Sequence, residues 1–191
     1  MLTTDKLITV FPLLKGLEEN LLEHIIHVSH QRLFDAKQIL FYEEEELPYW
    51  FFVIEGRLKA YKSTKEEHSI SLCHLDEGMA VNDVFFNGHT YTTNFFATIE
   101  SLEEGLLLGI KISSLNELFQ KVPSFAHACY NSSLATIGRY QRAFYSGMVL
   151  DAMGKVAFML SQTPDIFFKM KKQEVASQLN IQPETLSRIL G

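Results

Sequence analysis

Between Arg32 and about Ile112 the sequence alternates apolar and polar residues with period two, and this stretch constrains the fold more than any other. The alternation predicts strands at Arg32–Phe34, Gln38–Tyr42, Tyr49–Glu55, Arg57–Ser63, His68–His74, Asn94–Glu100 and Gly105–Ile110. Turn residues separate them: Asp35-Ala-Lys, Glu55-Gly56, Asp76-Glu-Gly78 and Asn87-Gly88. Short, evenly spaced strands of this kind close into a β-sandwich, barrel or roll. No segment repeats at a fixed period, which excludes solenoids and propellers. The acidic run Glu43–Glu46 reads as a solvated turn between strands.

Helical patterns flank this region. Leu17, Leu21, Leu22, Ile25, Ile26 and Val28 fall mostly at three- and four-residue steps, and Phe11–Leu17 reads as a short turn packed against them. Past the strands, a short helix is expected over Ser113–Phe119, ended near Pro123. A long helix is expected over Ser124–Val149. Along it Tyr130, Leu134, Ile137, Gln141, Phe144 and Met148 are spaced 4, 3, 4, 3, 4, an a/d seam of nearly three heptads. Phe125, Cys129, Ala135, Tyr140 and Ala143 lie elsewhere on the helix and are expected to pack on the β-domain. A helix with two apolar faces needs two neighbours, so the seam points to a second copy of the chain, a homodimer, with Gln141 setting the register. Gly147–Gly154 reads as a hinge, with Asp151 capping a helix over Ala152–Ser161. Gln162–Asp165 breaks that helix, and Ile166–Met170 is expected to be a small strand or extended segment.

The last stretch, Lys172–Leu190, has the pattern of two short helices around a tight turn. Val175, Ala176, Leu179, Ile181, Leu186 and Ile189 supply the inner faces. Asn180 falls where the turn needs a left-handed backbone, and Pro183 stands in the first turn of the second helix. Glu184, Ser187 and Arg188 then share the outer face at i, i+3 and i+4. Arg188 can donate two hydrogen bonds to a guanine, and Glu184 can accept from a cytosine or adenine amine. The chain as a whole carries a formal net charge of −6. From Ile166 to Gly191, however, Lys169, Lys171, Lys172 and Arg188 stand against Glu174 and Glu184, a local excess of two positive charges. The two cysteines, Cys73 and Cys129, are too few and too far apart for a disulfide framework, a zinc site or a cysteine-held iron–sulfur cluster. Neither a signal peptide nor a membrane-spanning run is visible, so a cytoplasmic protein with no membrane partner is expected.

This order of elements resembles the Crp/Fnr family of bacterial transcription regulators. The resemblance runs over the whole chain and is carried by Phe11-Pro-Leu-Leu-Lys-Gly-Leu17, Ile54–Tyr61, Leu75-Asp-Glu-Gly78 and Glu184-Thr-Leu-Ser-Arg-Ile-Leu190. It implies an α+β architecture: a cyclic-nucleotide-binding-like β-roll (a double-stranded β-helix or jelly roll) over residues 1–123, a dimerisation helix over 124–149, and a winged-helix type helix-turn-helix over 150–191. It also implies a homodimer on palindromic double-stranded DNA. The Glu-x-x-Ser-Arg form is similar to the Fnr branch, which reads TTGA-type half-sites. By that resemblance Glu184, Ser187 and Arg188 read bases, while Thr185 and the Lys169–Lys172 cluster, Lys172 included, touch phosphates.

The sequence departs from the family pattern in three places. Where the cyclic-nucleotide cassette has Gly-Glu and later Arg-Ser or Arg-Thr, this chain has Gly78-Met-Ala-Val-Asn82-Asp83 and His89-Thr-Tyr-Thr-Thr93. No arginine lies between Arg57 and Arg139, so cyclic AMP is not expected to bind in the usual way. The cysteine cluster that holds an iron–sulfur cluster in Fnr itself is missing. The family's DNA-binding domain continues past the recognition helix into a wing, so a domain ending at Gly191 is expected to be truncated. One sub-branch with a similar lack of both features senses nitric oxide through haem. That leaves haem, another small-molecule effector, or none as open readings. A haem slot would be lined by Phe85, Phe86, Phe95, Phe96, Tyr130 and Leu134, with ligands drawn from His24, His27 and His30, which step by three along the first helix, or from His127. Two alternatives to an effector-controlled regulator are a haem-dependent nitric-oxide or redox sensor and a ligand-binding sensor that has lost DNA binding. An enzyme is not expected: His68 and His74 stand at i, i+6 without a third metal ligand at a suitable spacing.

Overall fold

The computed structural model describes residues 2–63, 69–86 and 91–191, with the side chain of Phe86 excepted. His68, His89 and the Asn87-Gly88 turn lie outside the described residues. The chain forms two units, residues 1–60 with 74–137 and residues 61–73 with 138–191.

The first unit opens with α1 (Thr4–Val10), a 3-10 turn over Pro12–Leu14 and α2 (Glu19–Val28). Nine strands follow among the described residues. They are β1 (Ser29–Phe34), β2 (Ile39–Phe41), β3 (Tyr49–Glu55), β4 (Leu58–Ser63), β5 (Ser69–Leu75), β6 (Asp83–Phe86), β7 (Tyr91–Asn94), β8 (Thr98–Ser101) and β9 (Gly105–Lys111). One sheet runs β1-β9-β3, a second β2-β8-β4-β5, and β6-β7 form a hairpin. Strand β9 is the centre of the first sheet, antiparallel to β1 from Ser29↔Ile110 to Phe34↔Gly105 and to β3 from Tyr49↔Lys111 onward. Its Gly109 is required by close approach, because a Cβ there would stand 2.7 Å from the Phe51 ring.

Strands β3 and β9 are buried along five consecutive residues, so both of their faces are covered. Trp50, Phe52, Ile54, Leu106, Leu108 and Ile110 pack under the N-terminal helices, α3 (Leu115–Lys121) and the start of α4 (Pro123–Val149). Phe11 joins these layers, edge-on to Phe52 at 5.8 Å and to Phe125 at 6.2 Å. On the opposite face Phe51 lies 4.9 Å from Phe41, which stacks on Phe95 at 4.2 Å. The helix stripe that meets this core is Phe125, Ala128, Cys129, Ser132 and Thr136. Thr136 Oγ1 also donates to the Ala80 carbonyl at 2.8 Å, tying α4 to the segment before β6.

Several expectations are corrected. Asn94–Glu100 is not one strand: β7 pairs with β6 and β8 with β2, and residues 95–97 turn between them. Alternation persists through the break, with Phe95 and Ala97 buried and Phe96 exposed, so periodicity conceals the change of partner. Strand β6 escapes a period-two reading because Val84-Phe85-Phe86 is a continuous apolar run. The histidine stripe is broken, since α2 ends at Val28 and His30 stands in β1, its ring 5.2 Å from Tyr49. Ala135 is exposed rather than packed on the β-domain, being off the 125–128–132–136 stripe.

The second unit contains the end of α4 and then α5 (Ala152–Gln162), α6 (Pro164–Lys169), α7 (Lys172–Gln178) and α8 (Pro183–Leu190). Its core is Val156, Met159, Phe167, Val175, Ala176, Leu179 and Leu186. Ile166–Met170 is therefore mostly helix, not strand. Pro164 starts α6 at a position where its missing N–H costs nothing, and Phe167 turns inward. The interruption expected over Gly147–Gly154 narrows to Leu150-Asp151, because α4 continues through Gly147. Asp151 caps α5 by accepting from Gly154 N at 2.7 Å.

Candidate nucleic-acid interface

The turn between α7 and α8 decides which way the second helix faces. Helix α7 ends in a paired-bond motif: Ile181 N donates to Ala176 O at 3.0 Å and Asn180 N to Ser177 O at 3.1 Å. Asn180 is left-handed, with φ 50°, as its position in the sequence predicts. Its side chain is also engaged with β5, accepting from Ser71 N at 2.9 Å and donating to Ser71 O at 2.7 Å. Glu174 reaches back to Lys171 N at 3.3 Å and secures the start of α7.

With that turn set, Leu186 is fully buried against Val175 and Ala176, and Ile189 packs at the margin of the same core. Glu184, Ser187 and Arg188 all face solvent, Thr185 is half-buried, and Lys169, Lys171 and Lys172 are exposed. Alpha-helical geometry places 184, 187 and 188 on one side, so the exposed face of α8 carries a carboxylate, a hydroxyl and a guanidinium. These groups can pair with base edges in a major groove.

The seam residues Tyr130, Leu134, Ile137, Gln141, Phe144 and Met148 are all exposed, opposite the buried stripe. Phe144 and Met148 expose 70% and 71% of their surface, far more than a soluble helix needs to leave open.

The cassette region is closed on itself. Gly78 N donates to Val53 O, Met79 N to Asp76 O and Val81 N to Phe51 O. Asn82 is buried, its amide accepting from Phe51 N at 2.8 Å and donating to Tyr49 O at 3.0 Å. Burial pushes the Asp83 carboxyl above its ordinary value. Thr93 is buried and bonded through its hydroxyl to the Leu47 carbonyl. These hydrogen bonds leave no signature in residue type, and only the contacts between strands reveal them.

The residues expected to line a haem slot differ in exposure. Phe95 is buried and stacked on Phe41, whereas Phe85, Phe96, Tyr130 and Leu134 are exposed. His127 is also exposed. No group of three or more His, Cys, Asp or Glu side chains suited to a metal ion is found among the described residues.

Residues 31–122 match the family model of the cyclic nucleotide-binding domain. Solved structures extend the likeness to nearly the whole chain. CLP of Xanthomonas campestris, described as a c-di-GMP responsive global regulator, superposes with a TM-score of 0.67 at 15% identity, over 91% of this chain and 90% of its own. A CooA mutant from Carboxydothermus hydrogenoformans gives 0.71 at 19% identity, over 95% and 82%. FixK2 from Bradyrhizobium japonicum gives 0.63 at 17%, over 85% and 83%. At these identities the likeness is one of fold, the fold of Crp/Fnr-type regulators. No curated protein matches the sequence. Among the described residues no helix is long and apolar enough to cross a membrane.

Proposed function

We propose that this chain is a homodimeric DNA-binding transcription regulator of the Crp/Fnr type. In this reading α8 enters the major groove of a palindromic site with TTGA-like half-sites. Glu184, Ser187 and Arg188 read bases, and Thr185 and Lys172 contact phosphates. One observation carries it: α8 presents its polar triad to solvent over an inner face closed by Leu186, behind a turn locked by Asn180. The exposed seam of α4 supports pairing with a second copy, which would set two recognition helices on successive grooves. The proteins of similar fold include CooA, described as a CO-dependent transcription factor, and CLP, described as linking cell-cell signaling to virulence gene expression.

The effector, in this reading, is not cyclic AMP. A cyclic phosphate needs a guanidinium or free, oriented N–H groups. The cassette stretch offers no arginine, and the N–H groups of Gly78, Met79 and Val81 are already bonded within the protein. An effector acts instead by changing α4, the element common to both units. The deciding measurement is fluorescence anisotropy with a labelled TTGA-palindrome duplex and a scrambled duplex, at low and moderate salt. Preference for the palindrome supports the reading, and equal or absent binding ends it.

A further inference from the structure

The second unit holds a cleft of about 100 Å³ that the reading above does not use. Its walls are the last turns of α4, helix α5, the end of α7 and strand β5. Arg139 and Arg142 both line it, and no carboxylate does among the described residues. A site with two guanidinium groups in a chain of net charge −6 is selective for anions.

Two further groups point into chemistry the protein does not complete. Ser71 Oγ and Gln178 Oε1 are buried, line this cleft and have no hydrogen-bond partner. Ser71 is only 6% exposed. Its backbone N–H and carbonyl are both taken by Asn180, so the hydroxyl is what remains unused. Buried polar atoms are almost always bonded, and orphans at one cleft call for an occupant. Gln178 Oε1 accepts only, so that occupant must bring a donor. Guanidinium groups donate only and carry several N–H groups each, so anionic acceptors on that occupant match the two arginines.

We propose that this cleft binds a hydrogen phosphate group, its anionic oxygens held by Arg139 and Arg142 and by the Ser71 hydroxyl, and its P–OH donating to Gln178 Oε1. Sulfate meets the first requirement and fails the second, since it carries no O–H at neutral pH. The volume suits a group of a few heavy atoms, being somewhat smaller than the roughly 150 Å³ engineered cavity that takes up benzene. A larger phosphate ester would keep its organic part outside. The site does not depend on the chain binding DNA, and its tests do not use DNA.

The tests use isothermal calorimetry and thermal melting of the full chain in phosphate-free buffer at about pH 6, where a phosphate monoester still carries a P–OH in a large fraction of molecules. The titrants are inorganic phosphate, glycerol 3-phosphate and sulfate at equal ionic strength. One-site binding of phosphate or of the monoester is expected, and the stronger of the two identifies the source. Sulfate should bind at least about tenfold more weakly, as should phosphate to Arg142→Gln, each loss being one charge-assisted hydrogen bond. The Ser71→Ala/Gln178→Leu double variant should melt no lower than the parent without phosphate, because it removes orphaned polar atoms. Phosphate should raise the melting temperature of the parent and leave the double variant unchanged. Absence of saturable binding by either phosphate overturns the proposal. So does binding that is equal in the parent and both variants, or a crystal grown in phosphate with only ordered water in the cleft.

Discussion

Three side chains show how a single residue's surroundings set its role. Arg188 is exposed on α8 and can pair with a guanine by two hydrogen bonds. Arg188→Ala should weaken binding to the TTGA palindrome by about 1–3 kcal/mol, the worth of one good base contact, and relax the preference over scrambled DNA. Titration of duplex by anisotropy reads both. Asn180 does two jobs, a left-handed φ of 50° and a two-bond clasp on Ser71. Asn180→Gly keeps the first and loses the second, while Asn180→Ala loses both. Denaturant unfolding should rank parent above Gly above Ala, with the Ala variant lower than Gly by roughly 1 kcal/mol. Asp83 is raised by burial from 3.8. The folded state therefore holds that proton more tightly than the unfolded chain, and stability falls as pH rises from 3.8 through the higher folded value. Asp83→Asn removes that loss. It should raise the melting temperature at pH 7, and the advantage should shrink toward pH 4.

At the scale of elements, α4 was the most legible part of the sequence and also partly misread. The seam from Tyr130 to Met148 stands out from spacing alone, and the structure leaves it exposed. The opposite stripe contains Ser132 and Thr136, polar residues that a search for apolar periodicity passes over. Both are buried because their hydroxyls find carbonyl acceptors, Ala128 for Ser132 and Ala80 for Thr136. Buried leucines and isoleucines contribute about 1.5–3 kcal/mol each, so two charges in the seam should abolish pairing of two copies. Leu134→Glu/Ile137→Glu is expected to sediment as a monomer under conditions where the parent is a dimer. The fold of the variant should survive, because neither side chain is part of the buried stripe.

For the molecule as a whole, an overall charge of −6 and a local excess of positive charge near α8 have different consequences. In the proposed reading, long-range repulsion would limit non-specific binding, while the lysines of 169–172 and Arg188 would attract phosphates locally. Affinity for the palindrome should therefore drop steeply between about 50 and 200 mM salt, following the number of phosphates neutralised. A slope near zero in the same titrations would remove Lys172 and its neighbours from the interface. The β-roll and the two-helix terminus were both legible because each leaves a period in the chain: two for strands, three to four for helices. The hairpin of β6 and β7 and the helix α6 were not, since a continuous Val-Phe-Phe run and the Ile-Phe-Phe of 166–168 carry no distinguishing period.

Sequence alone determined most of the strands and helices, the left-handed place of Asn180, the cap at Asp151 and the polar triad of α8. Each of these is local: a propensity, a spacing or a charge that acts within a few residues. Tertiary structure alone decided where strands change partners, that the N–H groups of Gly78, Met79 and Val81 are bonded within the protein, and that Phe95 stacks on Phe41. It also decided that Ser71, Gln178 and two arginines line one cleft of the second unit. Those are contacts between residues tens of positions apart, and no local pattern encodes which distant group will complete a hydrogen bond or a core.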